Sequence, residues 1–186
     1  MKTFTESNLI FSFDEKNWDI LKYDQDPKYI EISNALEGTK AVDFLGFYNT
    51  NTLVLFEVKG FRGYGSQKSV IDRLSDGMEV LTQEVAQKVK DTVAAIVGIS
   101  RNMQTQDTIW KKAAMQILQN KNLMIIAWIE EDLNNKVLKD RKKTEMSVRT
   151  DKLKNKLAWL TTLIAIDNIR ERHFSFDGFT VNSQIK

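Results

Sequence analysis

The chain of 186 residues contains no cysteine and one histidine. Without cysteine it can form neither disulfides nor thiolate metal sites. With His173 alone it cannot build a site that needs two imidazole ligands, which excludes the usual zinc hydrolases. Any bound metal must therefore be held by oxygen ligands, and such ligands suit Mg²⁺ or a similar hard ion.

Long apolar runs and linkers are absent too. No stretch approaches the roughly 18 residues needed to cross a bilayer, and the N-terminus MKTFTESNLI has no signal-peptide core. These absences predict a cytoplasmic protein without a membrane partner. Because no repeat or Pro/Gly-rich linker breaks the chain, we expect a single domain over 1–186, with its core at about 27–130 and a basic helix and the last strands at 139–181.

Charge is distributed unevenly. Residues 1–93 carry 11 Lys/Arg and 15 Asp/Glu, whereas residues 94–186 carry 16 and 10. The basic excess is greatest over 139–156, where eight Lys/Arg accompany three acids. This asymmetry is compatible with a polyanionic partner, although surface lysines on a helix often form only a solvated face.

Hydrophobic periodicity predicts an alternation of strands and helices. The predicted strands are 9–13, 41–48, 53–59, 122–130 and 163–166, with an edge element at 174–181. The predicted helices are 27–37, 76–98, 108–119 and 139–160. This order indicates an α/β protein, an αβ sandwich whose central mixed sheet is flanked by helices.

Three charged residues stand out in the apolar hairpin at 41–59. On a strand, side chains alternate, so Glu57 and Lys59 share one face. Asp43 lies on the preceding strand between two apolar residues. A charge near a buried strand costs several kcal/mol unless it is paired or bound to a metal.

The register of the hairpin decides whether these acids meet. If the loop has an odd number of residues, with Tyr48 paired to Thr52, Asp43 faces Glu57 on the same side of the sheet, with Cβ atoms roughly 5 Å apart. Two carboxylates at that distance repel, so a cation is expected between them, with Lys59 adjacent. An even loop without a bulge would place them on opposite faces.

Asp43 followed by Glu57-Val58-Lys59 resembles the signature of the PD-(D/E)XK nucleases, although Val42 stands where the proline of the name would be. The resemblance covers about 27–130 and implies a restriction-endonuclease-like fold. It also implies that Asp43, Glu57 and the backbone carbonyl of Val58 bind Mg²⁺, for which Mn²⁺ can substitute, and that Lys59 polarises the attacking water.

The same resemblance implies a further acidic residue on the first helix, where Glu31 is the nearest match and Glu37 a competitor. It predicts hydrolysis of phosphodiester bonds in DNA, in restriction, repair or anti-phage defence. The small size favours dependence on a protein partner or homodimerisation. One alternative is a catalytically silent nuclease-fold subunit that binds nucleic acid or protein. Another is a salt-bridge cluster with no function.

Basic residues outside the hairpin are candidates for nucleic-acid contacts. They are Arg62 and Lys68 after the second hairpin strand, and Arg141, Lys142 and Lys143 in the basic helix. Arg62 and Lys68 are equally well explained as solubilising residues of a loop.

Two helical residues and the aromatic side chains have ordinary interpretations. Glu84 and Lys88 lie one turn apart and can project toward the hairpin, but we favour an exposed ion pair. We expect the tryptophans Trp110, Trp128 and Trp159 in the core. His173 has no obvious partner.

Overall fold

The computed structural model describes residues 1–63, 79–102, 108–119, 121–131 and 138–184, without the side chains of 102 and 138–146. Eight strands and four α-helices lie in these ranges. In chain order they are β1 (Lys2–Glu6), β2 (Leu9–Phe13), β3 (Trp18–Lys22), α1 (Pro27–Ala35), β4 (Phe44–Tyr48), β5 (Thr52–Gly60), α2 (Glu79–Asn102), α3 (Ile109–Leu118), β6 (Leu123–Glu130), α4 (Leu138–Leu157), β7 (Leu163–Asp167) and β8 (Phe179–Ser183). A short 3-10 helix, Tyr23–Gln25, joins β3 to α1.

Local chemistry explains where α1 begins and how β4 turns into β5. The Asp26 carboxylate accepts a hydrogen bond from the backbone N–H of Lys28 at 2.9 Å, which caps the first turn of α1. Between β4 and β5 the chain reverses through residues with positive φ, 46° at Asn49 and 60° at Thr50. Asparagine adopts this backbone region readily, whereas a β-branched threonine does so under strain.

Five strands form the central sheet, in the order β3-β4-β5-β6-β7. Strands β3, β4 and β5 are antiparallel neighbours, whereas β6 runs parallel to β5 and β7 parallel to β6. The predicted mixed central sheet is therefore confirmed. The parallel strands end at one edge of the sheet, so their last residues lie near one another.

The two faces of this sheet are covered differently. Leu53 and Leu55 of β5 belong to a core that includes residues of all four helices. Phe56, on the opposite face, belongs to a second core with Phe11 and Phe179. These two phenylalanines come from β2 and β8, which form a three-stranded antiparallel sheet with β1 in the order β1-β2-β8.

The second sheet corrects the expectation that helices alone flank the central sheet. The strand predicted at 9–13 is confirmed, and the edge element predicted at 174–181 is found as β8, paired to β2 through Phe11 and Val181. Strands β1 and β3 were not predicted. Strands β1, β2 and β8 of the second sheet cover the phenylalanine-rich face of the central sheet.

The aromatic residues and the helices test two further expectations. Trp110 and Trp128 are buried, as predicted, but Trp159 is 61% exposed. It lies in the turn after α4 rather than in the helix, so the helical spacing that suggested burial does not apply. Among the described residues no helix is both long and apolar enough to span a membrane.

Candidate functional site

The hairpin β4–β5 brings Asp43 and Glu57 together. Phe44 pairs with Phe56 and Tyr48 with Thr52, which is the odd-loop register. The backbone N–H of Asp43 donates to the Phe56 carbonyl at 2.9 Å, one residue out of this register, so the regular pairing ends at Phe44. Asp43 and Glu57 are still neighbours, because the Lys88 ammonium lies 3.7 Å from Asp43 and 2.8 Å from Glu57. Both side chains are buried, 6% and 0% exposed. The odd-loop register is therefore confirmed, and the two acids lie close together.

The two oxygens of Asp43 have different surroundings. Oδ2 accepts a hydrogen bond from the backbone N–H of Val58 at 2.6 Å. Oδ1 lies 3.7 Å from the ammonium of Lys88. In an extended strand the N–H and C=O of one residue point the same way, so the Val58 carbonyl also lies on the side of Asp43. The Val58 carbonyl, which was predicted to bind the metal, therefore points toward Asp43.

Lys88 of α2 supplies the cation between the acids. Its Nζ lies 2.8 Å from Glu57 Oε1 and 3.0 Å from Oε2, in addition to its contact with Asp43. Lys59 Nζ lies 3.1 Å from Glu57 Oε1 and 2.8 Å from Glu84 Oε1. The favoured interpretation of Glu84 and Lys88 as an exposed ion pair is therefore wrong. Each contacts a hairpin residue instead, because this side of α2 faces the sheet.

Burial dominates the ionisation of this group. Burial, together with the nearby Asp43 charge, raises the pKa of Glu57 from 4.5 to about 8, against the opposing effect of Lys88 and Lys59. Burial also raises the pKa of Asp43, against Lys88 and the Val58 N–H. Burial lowers the pKa of Lys88, but the Glu57 and Asp43 charges outweigh it and the net direction is upward. Lys88 therefore remains cationic at neutral pH, while Glu57 is poised to take up a proton.

A second set of carboxylates surrounds Asp43 on its other side. Oxygens of Glu6, Asp24 and Asp43 lie within 4.8 Å of one another, close enough to hold one metal ion. Glu6 is the last residue of β1, and Asp24 lies in the 3-10 helix. Asp24 Oδ1 is buried and has no hydrogen-bond partner among the described residues. Burial raises the pKa of Asp24, with Lys22 opposing and Asp43 and Glu6 adding to it.

Glu6 and Asp24 supply the additional carboxylates that were expected from the first helix. Glu31 is exposed and pairs with Lys28 at 3.3 Å, and Glu37 is exposed as well. The structure does not bring Glu31 to the buried carboxylates, because it lies on the outer side of α1. The expectation of a third acid from α1 is corrected to acids from β1 and the 3-10 helix.

The charge balance of the whole group leaves an excess of acid. Five carboxylates meet here, those of Asp43, Glu57, Glu84, Glu6 and Asp24. Three ammonium groups accompany them, those of Lys59, Lys88 and Lys22, the last of which pairs with Glu6 and lies 3.8 Å from Asp24. If all are ionised the net charge is −2, which one divalent cation would balance. The all-oxygen donor set therefore fits Mg²⁺ chemically.

A metal ion bound by both Glu57 and Asp43 would compete with the Lys88 ammonium, because that ammonium lies between the two carboxylates. At the second set of carboxylates the Lys22 ammonium pairs with Glu6 and lies 3.8 Å from Asp24, so an ion bound there would compete with Lys22 instead. An open cleft of about 630 Å³ is lined by Glu84, which contacts Lys59, and by Lys40 and Gln87 among others.

Of the residues predicted to contact nucleic acid, only Arg62 has a side chain that the structure describes. The Arg62 side chain lies 3.7 Å from the buried Glu130 carboxylate. Lys68 and the side chains of Arg141, Lys142 and Lys143 lie outside the described residues. Later in the basic helix, Arg149 is buried and pairs with Glu131, and Lys156 Nζ lies 2.5 Å from Glu79 Oε1. Part of the described basic stretch is thus neutralised within the protein.

In comparisons with protein-family models, curated proteins and solved structures, none matched the chain.

Proposed function

We propose that the chain is a Mg²⁺-dependent nuclease of the PD-(D/E)XK type, with a restriction-endonuclease-like αβ sandwich, that hydrolyses phosphodiester bonds of DNA. One observation carries the proposal: Asp43 and Glu57 are buried close together at the end of the β4–β5 hairpin, both in contact with Lys88, and Lys59 lies 3.1 Å from Glu57. Burying two acids and their lysine partners at the end of a sheet carries a desolvation cost, so their presence suggests a role beyond folding.

Asp43 is the residue on which both carboxylate sets converge. It would hold the ion with Glu57 and the Val58 carbonyl on one side, or with Glu6 and Asp24 on the other. A bound Mg²⁺ supplies charge stabilisation at the phosphoryl oxygens and lowers the pKa of a coordinated water.

Lys59 has two tasks in this proposal. Its ammonium orients the attacking water and stabilises negative charge that develops on the phosphoryl oxygens. Glu84, at 2.8 Å from Lys59 Nζ, holds that ammonium at the mouth of the site. Lys88 neutralises Glu57 in the structure, and an ion between Glu57 and Asp43 would have to displace its ammonium.

The DNA would approach through the cleft beside Glu84, where Lys40 offers a cationic contact. A compact domain presents little surface for sequence recognition, so a homodimer or a protein partner would supply the rest. Restriction, repair or anti-phage defence in the cytoplasm is the setting that fits such an enzyme. This part of the proposal rests on analogy with the family.

A second candidate is favoured by the position of Lys88. Its ammonium lies within 3.0 Å of both Glu57 oxygens, so the pair could be neutral without any metal. The chain would then be a catalytically silent nuclease-fold subunit that binds nucleic acid or a protein. The two candidates differ in whether a divalent cation binds at Asp43.

Cleavage of single-stranded, double-stranded and branched DNA with Mg²⁺ or Mn²⁺ tests the first candidate. Asp43→Asn and Lys59→Met should each lower the cleavage rate by about 10²-fold or more while the chain stays folded. Asp19→Asn and Lys90→Met are matched controls, since both side chains are exposed and lie on β3 and α2. These two variants should cleave like the wild type.

Isothermal titration with Mg²⁺ and Mn²⁺ separates the two candidates. If the wild type binds one divalent ion, Asp43→Asn abolishes the binding, and DNA is cleaved, the nuclease proposal stands. If the folded wild type neither binds the ions nor cleaves any of the three DNA forms, the silent-subunit candidate replaces it.

A further inference from the structure

We infer that a cavity at the carboxyl end of β7 binds a phosphate group. The cavity measures about 520 Å³ and lies between α4 and residues 170–173, away from Asp43 and Glu57. Its walls carry the hydroxyls of Ser147 and Thr150 and the basic side chains of Lys154, Arg170 and His173. Its size is that of a small-molecule site.

His173 is held in one orientation by a buried acid. Asp167, the last residue of β7, is 2% exposed and lies 3.0 Å from His173 Nδ1. The same Asp167 oxygen accepts the backbone N–H of His173 at 2.8 Å. Because the ionised carboxylate only accepts hydrogen bonds, Nδ1 carries the proton. The half-exposed ring therefore turns its other nitrogen, Nε2, to a ligand.

Thr150 provides an independent sign of a ligand. The residue is 6% exposed, and its Oγ1 is buried without a hydrogen-bond partner among the described residues. A buried hydroxyl left without a partner costs free energy, and native proteins rarely tolerate it. Thr150 lines the cavity, and a threonine in a helix adopts either of two χ1 rotamers, so rotation about χ1 can offer this hydroxyl to an oxygen of a bound phosphate.

The charges around the cavity favour an anion. Three cations, Lys154, Arg170 and Arg172, face two acids, Asp151 and Glu171. The Arg172 guanidinium lies above the rings of Trp128 and Phe179, at 5.3 Å and 5.6 Å from their centroids. A phosphate offers three or four acceptor oxygens, enough to meet arginine, lysine and hydroxyl donors together.

The phosphate can come from a free phosphate or from a polynucleotide. Asp167 pairs with Trp128, which pairs with Val58, so the cavity begins two strands away from the proposed metal site. At about 4.8 Å between strands, this is roughly 10 Å. A DNA strand bound at Asp43 presents several phosphates over that length. Phosphate binding itself requires no metal and no hydrolysis.

His173 makes the test direct, because it is the only histidine and gives a single set of imidazole NMR signals. The wild-type chain is titrated with inorganic phosphate at constant ionic strength, with a chelator present to remove divalent ions. The His173 signals should shift saturably. Arg170→Gln and Lys154→Gln should each weaken binding by about tenfold, and Lys121→Gln, which removes an exposed lysine before β6, should not.

Thr150→Val gives a second, separate measurement. This change removes the unpartnered hydroxyl and keeps the shape, so it should weaken phosphate binding about threefold to tenfold without lowering the melting temperature. Shifts that grow linearly with phosphate, or equally with chloride, would overturn the inference, as would unchanged binding in Thr150→Val and Arg170→Gln together.

Competition identifies the source of the phosphate. If a 5′-phosphorylated oligonucleotide displaces inorganic phosphate and its 5′-hydroxyl counterpart does not, the site takes a terminal phosphate. If both displace it, the site takes the backbone. If neither does, while inorganic phosphate still binds, the ligand is a small free phosphate. Since the chelator is present throughout, these results are independent of whether the chain is a nuclease.

Discussion

Replacing Glu57 by glutamine should change how the stability of the protein depends on pH. The carboxyl group is fully buried, and its pKa is about 8 in the folded protein against 4.5 in the unfolded chain. The folded state therefore binds this proton more tightly than the unfolded state does. The resulting stability is fully present below pH 4.5 and is lost as the pH rises toward 8.

The magnitude follows from the two pKa values. Each pKa unit corresponds to about 1.4 kcal/mol, so ionising Glu57 in the folded protein costs about 5 kcal/mol at most, relative to the unfolded chain. A typical domain has a net stability of about 5–15 kcal/mol, so the loss is large enough to measure. Within this window the free energy of unfolding should fall by up to about 1.4 kcal/mol per pH unit.

Urea unfolding between pH 5 and pH 8.5, with a chelator to exclude divalent ions, measures this slope. The wild type should lose stability over the range, whereas Glu57→Gln should lose about 4 kcal/mol less. The comparison concerns slopes, because the glutamine also removes a counterion from Lys88, and that cost does not vary with pH in this range. Asp19→Asn, which removes an exposed carboxyl from β3, should keep the wild-type slope.

Parallel stability profiles for the wild type and Glu57→Gln would refute the reasoning. They would mean that Lys88 and Lys59 keep Glu57 ionised in the folded protein throughout the range. A smaller residual slope in Glu57→Gln is expected, because burial raises the pKa of Asp43 in the same direction. Adding Mg²⁺ should flatten the wild-type profile if the ion binds the ionised carboxylates.

Further predictions concern the same group of side chains. Lys88→Met should lower the unfolding free energy by about 3–5 kcal/mol without metal, and Lys90→Met is its control. Millimolar Mg²⁺ should raise the melting temperature more in Lys88→Met than in the wild type. Asp24→Asn should weaken Mg²⁺ binding, measured by calorimetry, by about tenfold or more; unchanged affinity would remove Asp24 from the site. Gly60→Ala should destabilise the fold by about 1–3 kcal/mol in urea unfolding, since a Cβ there would lie 2.7 Å from Cβ and the carbonyl oxygen of Ser7.

The hairpin could be predicted from the sequence because its geometry depends on counting. Strand side chains alternate with a period of two, so an odd loop alone decides that Asp43 and Glu57 share a face. The turn residues Asn49 and Asn51 and the apolar flanks indicated where to count from. No information from distant parts of the chain was needed, and the observed register agrees.

The position of Lys88 was harder to predict, although a signal existed. Leu81, Val85 and Val89 form the apolar stripe of α2, and Lys88 falls on the edge of the same stripe. Thr92, one turn further on, is fully buried, and its hydroxyl accepts the backbone N–H of Val42 at 3.1 Å. The inward face of α2 is thus wider than its apolar residues suggest. A lysine within that width is placed to meet a buried acid.

Glu6 and Asp24 could not be assigned to the site from the sequence. Glu6 reaches Asp43 only because β1 and β2 form a hairpin, with a two-residue turn at Ser7 and Asn8 whose φ values are 50° and 62°. Positive φ at both central residues is the signature of a type I′ turn, for which an Asn is a weak signal without a following Gly. This turn packs on Gly60 of β5, and a tertiary contact of this kind cannot be predicted from local sequence patterns.

The acids at the carboxyl ends of the three parallel strands show why the site lies at β5. Each of Glu57, Glu130 and Asp167 is buried. Glu130 accepts the Trp128 indole N–H and a backbone N–H, and Asp167 accepts two donors of His173, so each has its own hydrogen-bond donors. Glu57 alone of the three lies beside another buried carboxylate, that of Asp43, in a group where three lysines accompany five acids. Because excess negative charge is costly inside a protein, a divalent cation would be drawn to this end of the sheet at β5 rather than at β6 or β7.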